Sequence, residues 1–204
     1  MAIRIRSRFH TTGRPRTQAE LASVIAMLAW KLAIDSIKRM REAKYDIDIG
    51  RPYFEFVCEY LVFLAQAADR IAYRELEAAQ RGEFTSALAL RLADVVEDNR
   101  DMLLGAEVPG ESRRFFLDLF NRRGGDYAAF DYGTDGPDFG FRRCFAAGIE
   151  AVLPDKDKLW AIDQVMEIEV PEAVKALEKT LAGLFAGDDE DAPRRPRRES
   201  VTGE

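Results

Sequence analysis

From Thr17 to Gly187 apolar residues recur every three or four positions along most of the chain, the spacing that places them on one face of an α-helix. Leu21, Val24, Ile25, Leu28, Leu32 and Ile37 follow this period, with Glu20, Lys31, Asp35, Lys38 and Glu42 on the opposite stripe. A helix over about 17–44 is predicted. Thr17 and Glu20 form its capping box, because hydroxyl and carboxylate each accept from one orphan amide.

A second helix is predicted over 52–80, opened by Pro52, whose fixed φ suits a first turn, and ended by Gly82. It is apolar around most of its circumference, so it should lie at the centre of a bundle. Further periodic segments predict helices over about 85–104, 112–123, 141–153 and 155–168, and a last one from Pro171 to Gly187. The predicted fold is all-α: one bundle of about seven helices, with 17–44 and 52–80 as a long antiparallel pair.

Between the fourth and fifth helices the pattern stops. Residues 124–140 hold five glycines and the aromatics Tyr127, Phe130, Tyr132 and Phe139. A loop this long inside a compact domain is uncommon and often functional. Its aromatics either pack on the bundle or serve as contact residues. Asp131 and Asp135, followed by Gly136, match the start of a calcium loop. Gly133 and Arg142 stand where further acids are needed, so the strongest ligand is lacking.

The ends differ from the body. Residues 1–16 carry Arg4, Arg6, Arg8, Arg14 and Arg16 and no acid, and Ile3, Ile5 and Phe9 are interleaved with the first three arginines. This reads as a basic, extended arm. Residues 188–204 form a low-complexity charged tail. The domain organisation is thus an arm (1–16), a helical domain (17–187) and a tail (188–204). The net charge is −6, and the basic arm leaves a body more acidic than the whole. Nucleic-acid binding through the arginine arms, including Arg194, Arg195, Arg197 and Arg198, is therefore not favoured.

The single histidine, His10, lies outside the periodic region. That excludes histidine-based triads and the Glu-x-x-His dimetal sites of helical bundles. Magnesium held by carboxylates survives this exclusion. Glu97-Asp98-Asn99-Arg100-Asp101 resembles the acidic motif of isoprenoid synthases, but departs in its first residue and has no second motif beside it. A solvated helix face accounts for it better.

Polar residues on the apolar second helix are the more pointed candidates. Glu55, Glu59, Gln66, Asp69 and Arg70 fall in one stripe, and acids on so buried a helix must be paired, hydrated or solvent-facing. Lys31, Lys38, Arg70 and Arg74 are candidate partners. Such a stripe would be either a row of ion pairs or a polar cleft.

Cys58 and Cys144 have no metal-ligand or framework spacing and read as small buried hydrophobes. A reducing, cytoplasmic location follows. Glu20 and Lys31 break the apolar run that a signal peptide would need, and no stretch is long and apolar enough to span a membrane. No cofactor or metal is expected. The leading functional reading is a non-enzymatic scaffold, adaptor or complex subunit, working by protein or self-association. Its contacts would run through the termini (Arg4, Arg6, Arg8) and the loop (Tyr127, Phe130, Asp131, Tyr132, Phe139). The alternative is a magnesium-dependent enzyme acting on a small phosphorylated substrate in a cleft beside 52–80. A weaker alternative is a subunit of a nucleic-acid complex.

Overall fold

In the computed structural model, residues 16–48, 50–100, 104 and 108–185 are described. The arm, apart from Arg16, and the tail lie outside them, as do Asp101 and Gly105. The described chain is an all-α bundle: α1 (Gln18–Glu42), α2 (Arg51–Glu75), α3 (Ala78–Asp98), α4 (Glu111–Tyr127), α5 (Phe139–Val152), α6 (Asp155–Gln164), a π-helical turn (Val165–Glu169) and α7 (Val170–Phe185). None of these helices is long and apolar enough to cross a membrane.

The capping box at Thr17 forms as its residues predict. Thr17 Oγ1 accepts from the Glu20 amide, and Glu20 Oε2 accepts from the Thr17 amide. Helix α2 buries 15 of its 25 residues, which makes it the central rod. It packs against α1, α3, α4, α5 and α7. Helix α1 also lies along α3, and that face is more extensive than its face against α2.

Three boundaries depart from the sequence expectation. The second helix ends at Glu75 rather than near Gln80, and Gly82 sits inside α3. A mid-helix glycine costs about 1 kcal/mol relative to alanine; burial of Phe84 and Leu88 on the same helix outweighs it. The break at Leu76-Glu77 also lets α3 fold back so that Arg81 and Thr85 reach Asp69.

The second departure is at Gly124-Gly125, which lie within α4 rather than ending it. The extra turn carries Tyr127 into the core, where it is 1% exposed. The third is at Pro171, which does not start a separate helix. The chain continues from α6 to α7 through the π-turn, where the Val170 amide donates to the Val165 carbonyl. A proline within an α-helix clashes with the carbonyl four residues back. The wider turn just before it accommodates that bulk.

The start of α4 explains Glu97. Gly110 precedes the helix with φ +87° and no side-chain cap of its own. Glu97, on α3, serves instead: its carboxylate accepts from the Gly110 amide at 2.6 Å and the Arg113 amide at 3.1 Å, and pairs with Arg100. The hydrogen bond from Gly110, then that from Arg113 and the Arg100 charge, hold its pKa below the usual carboxylate range against the opposing effect of burial. Its contribution to stability is present above the unfolded-state value and is lost as pH falls through the lower folded value. Glu97→Ala is expected to destabilise by about 1–2 kcal/mol, the loss of a helix cap. Urea titrations at neutral and acid pH check both statements, since Glu97→Gln should flatten the acid limb.

Candidate functional site

The polar stripe of α2 is resolved into separate ion pairs, each with a different arginine. Glu55 pairs with Arg51 one turn earlier, at 2.6 Å. Glu59 receives a two-pronged contact from Arg123 of α4: Nη2 donates to Oε1 at 2.6 Å and Nε to Oε2 at 3.0 Å. Asp69 accepts from Arg81 Nε at 2.9 Å and from Thr85 Oγ1 at 2.6 Å. Arg70 donates to the Tyr127 carbonyl and Arg74 to the Gly133 carbonyl. Gln66 Nε2 lies 3.5 Å from where a side chain on Gly124 would begin.

The expected lysine partners are therefore replaced. Lys38 pairs with Asp35 on its own helix, and Lys31 is exposed and makes no ion pair among the described residues. Lys31 and Lys38 are exposed on α1, whereas Glu59 and Asp69 of α2 face α4 and α3. Glu59 is the most enclosed of the acids, at 6% exposure, and Gly148 of α5 leaves it room. A Cβ there would stand 2.7 Å from Glu59 Oε2.

A second enclosed carboxylate was not singled out by sequence. Glu169, at the end of the π-turn, is 0% exposed. It accepts from Arg39 of α1 and from Gln164 Nε2 at 3.2 Å. Tyr60 and Ser36 lie beside this group, and their hydroxyls make no hydrogen bond within the described residues. Burial, then the neighbouring Glu169 charge, pushes the Tyr60 phenol well above its usual range, so it stays protonated. Glu169, Arg39 and Gln164 here are interior groups satisfying one another. Among the described residues, no three His, Cys, Asp or Glu side chains gather closely enough to hold a metal ion.

The long loop turns inward. Around a hairpin of β1 (Tyr132–Gly133) and β2 (Gly136–Pro137), the Asp138 amide donates to the Asp131 carbonyl and the Asp131 amide to the Asp138 carboxylate. Asp138 then caps α5 by accepting from the Phe141 amide. Asp131 thus belongs to the hairpin base. The Thr134-Asp135 turn ending at Gly136, with φ +93°, is the hairpin signal that the calcium comparison obscured.

Its aromatics extend the core. Phe63 stacks on Phe145 with centroids 4.3 Å apart, and Phe141 carries the cluster on to Tyr127 at 4.5 Å and Tyr132 at 5.5 Å. Phe130 packs against Gly140 so closely that a Cβ there would meet its ring at 2.2 Å. Of the four loop aromatics only Phe139 is exposed, at 64%. Three of the expected contact residues are spent on packing, because burying a ring offers more than leaving it in water. Gly140→Ala is expected to displace Phe130 and destabilise by about 1–3 kcal/mol, read as a lower thermal midpoint with the helical signal retained.

No family model, curated protein or solved structure matches this chain. Assignment of a site therefore rests on its own surface.

Two shallow surface grooves mix charges of both signs with apolar walls. One, of about 290 Å³, is lined by Arg51, Phe54, Ser112, Arg114 and Phe115; the other, of about 350 Å³, by Pro137, Arg142, Val174, Lys175 and Glu178. Neither includes Glu59, Asp69, Arg70 or Lys31. The polar residues weighed as a cleft do not line either groove.

The more unusual surface is on α6. Polar contacts tie this helix to the connector after α1: the Asp46 amide donates to Asp157, Lys156 pairs with Asp46, and Tyr45 Oη donates to the Trp160 carbonyl at 2.9 Å. Ala161, Val165 and Met166 face the core. Leu159 and Trp160, apolar residues of the segment predicted as a helix over 155–168, are 74% and 65% exposed. Ile168, on the π-turn, is 42% exposed. Asp163 and Glu167 lie between them in the sequence, exposed and without an ion pair among the described residues. A ten-residue helix held by polar contacts has a narrow apolar face, which composition alone does not orient.

Cys58 is buried, as expected, and Cys144 is only half-buried. Burial raises both thiols above their ordinary range, partly offset at Cys144 by Arg123, so neither is an activated nucleophile.

Proposed function

We propose that this protein acts by protein–protein contact, as a scaffold, adaptor or complex subunit, and that the face of α6 and the π-turn is its contact surface. The observation that carries this reading is the pair Leu159 and Trp160, mostly exposed on one short helix and accompanied by the exposed acids Asp163 and Glu167, which have no ion pair among the described residues. A large aromatic left in water beside a second large apolar residue is the composition of an interface centre with a charged rim. The acidic rim favours a partner surface that combines basic and apolar groups.

The loop contributes Phe139 rather than all four of its aromatics. The interior acids take no part, since each is held by an arginine of the bundle. Two free cysteines accord with a reducing, cytoplasmic setting.

The test is site-specific photo-crosslinking in cells, with the reactive group placed at position 160 and, as a control, at the exposed Glu83 of α3. Discrete adducts from position 160 and none from position 83 are expected. Equal, diffuse labelling from both positions would remove the reading.

A further inference from the structure

The α6 face has a complement within this same sequence. It presents Leu159, Trp160 and Ile168 together with Asp163 and Glu167. The chain's first residues interleave Ile3, Ile5 and Phe9 with Arg4, Arg6 and Arg8. One set is apolar and acidic, the other apolar and basic. An alternating segment laid along a surface directs one set of side chains into apolar contact and leaves the others at its edge, within reach of rim charges.

Reach decides which molecule supplies the segment. Trp160 lies beside Tyr45, beyond the C-terminal end of α1. Helix α1, of 25 residues, is about 37 Å long at 1.5 Å per residue. Phe9 is tethered to Thr17 at the opposite end, and a fully extended chain between them spans at most about 27 Å. Phe9 of the same molecule stops short of the face, and only the tip of the arm has the length to touch it. A second copy carries no such tether.

We propose that residues 3–9 of one molecule dock on the Leu159–Trp160–Ile168 face of a second copy, with Arg4, Arg6 and Arg8 against Asp163 and Glu167. A two-fold arrangement then pairs two arms with two faces, so both contacts form in one closed dimer. The inference rests on reading the α6 face as a contact surface and names its partner. Attraction between exposed charges is screened by salt, so the dimer weakens as ionic strength rises.

The experiment is sedimentation velocity on the full chain over a concentration series at low and moderate salt. A reversible dimer is expected. Arg4→Glu with Arg6→Glu and Arg8→Glu, and separately Trp160→Glu, should each weaken it by at least about tenfold. Combining the three arm reversals with Asp163→Lys and Glu167→Lys in one chain should restore it, because both signs are exchanged. A labelled peptide of residues 1–16 should bind the arm-reversed chain and fail to bind that chain when it also carries Trp160→Glu. Trp160, Asp163 and Glu167 are exposed, so their substitution keeps the fold intact, which far-ultraviolet circular dichroism verifies for every variant. A monomer at all concentrations, or a dimer indifferent to both sets of reversals, would overturn the exchange. If the chain is monomeric while position 160 still crosslinks to a different protein, the arm exchange fails and the contact surface stands.

Discussion

Replacing Arg123 by methionine is expected to destabilise the protein by about 3–5 kcal/mol, the usual consequence of removing one partner from an enclosed ion pair. Glu59 is 6% exposed and takes three donor contacts from this one guanidinium. The contact works in both directions. It pushes the Arg123 pKa well above its already high ordinary value, the hydrogen bonds Arg123 donates to Glu59 being the largest cause. Without Arg123 the enclosed carboxylate is left without its partner against α5 at Gly148, which is unfavourable for a buried charge. For a chain of this size the loss corresponds to a fall in thermal midpoint of about 6–20 °C. Urea unfolding at neutral pH supplies the free energy. The double variant Glu59→Leu with Arg123→Met should recover most of the loss, because replacing both charges removes the desolvation penalty together with the attraction. If Arg123→Met alone unfolds within about 1 kcal/mol of the parent, Glu59 is hydrated and the pair is a surface contact.

A loss of similar size, about 3–5 kcal/mol, is expected for Arg39→Met. Glu169 is 0% exposed, and after Arg39 is removed Gln164 Nε2 alone among the described residues remains to donate to it. This pair joins α1 to the π-turn, so the local consequence differs from that at Glu59. The turn has one residue more per winding than its neighbours, and its packing is what holds Glu169 inward. Arg39→Met should therefore abolish amide-exchange protection at residues 165–169 before it is lost in the centre of α2. Arg39 also reaches Glu172 at 3.3 Å, an exposed contact that adds little. Glu172→Gln should leave stability within about 0.5 kcal/mol and serves as the control. Uniform loss of protection across the bundle, with the π-turn no more affected than α2, would show that the pair does not hold this turn.

How much was legible before folding differs between elements for physical reasons. The capping box at Thr17 was, because its three-residue spacing lies within one turn. The centrality of α2 was also legible, since a helix apolar around its circumference must be surrounded. Glu59 and Asp69 declared that they needed partners. Their partners, Arg123 and Arg81, could not be named, because each depends on which helix comes to lie beside α2. The lysines of α1 have the right charge but sit on the wrong face. The loop aromatics were recognised as important. Whether they packed or projected was decided by the extra turn of α4, which two glycines concealed.

By itself the sequence determined a helical bundle, its central rod and the first helix's cap, since all of these follow from periodicity and short-range spacing. Only the tertiary structure decided that Arg123 meets Glu59 and Arg39 meets Glu169, that Tyr127 and Tyr132 complete the core, and that Leu159 and Trp160 face water. Each of these is a meeting between segments far apart along the chain, and the side a helix turns toward its neighbour is set by the packing of the whole bundle rather than by the pattern of that helix alone.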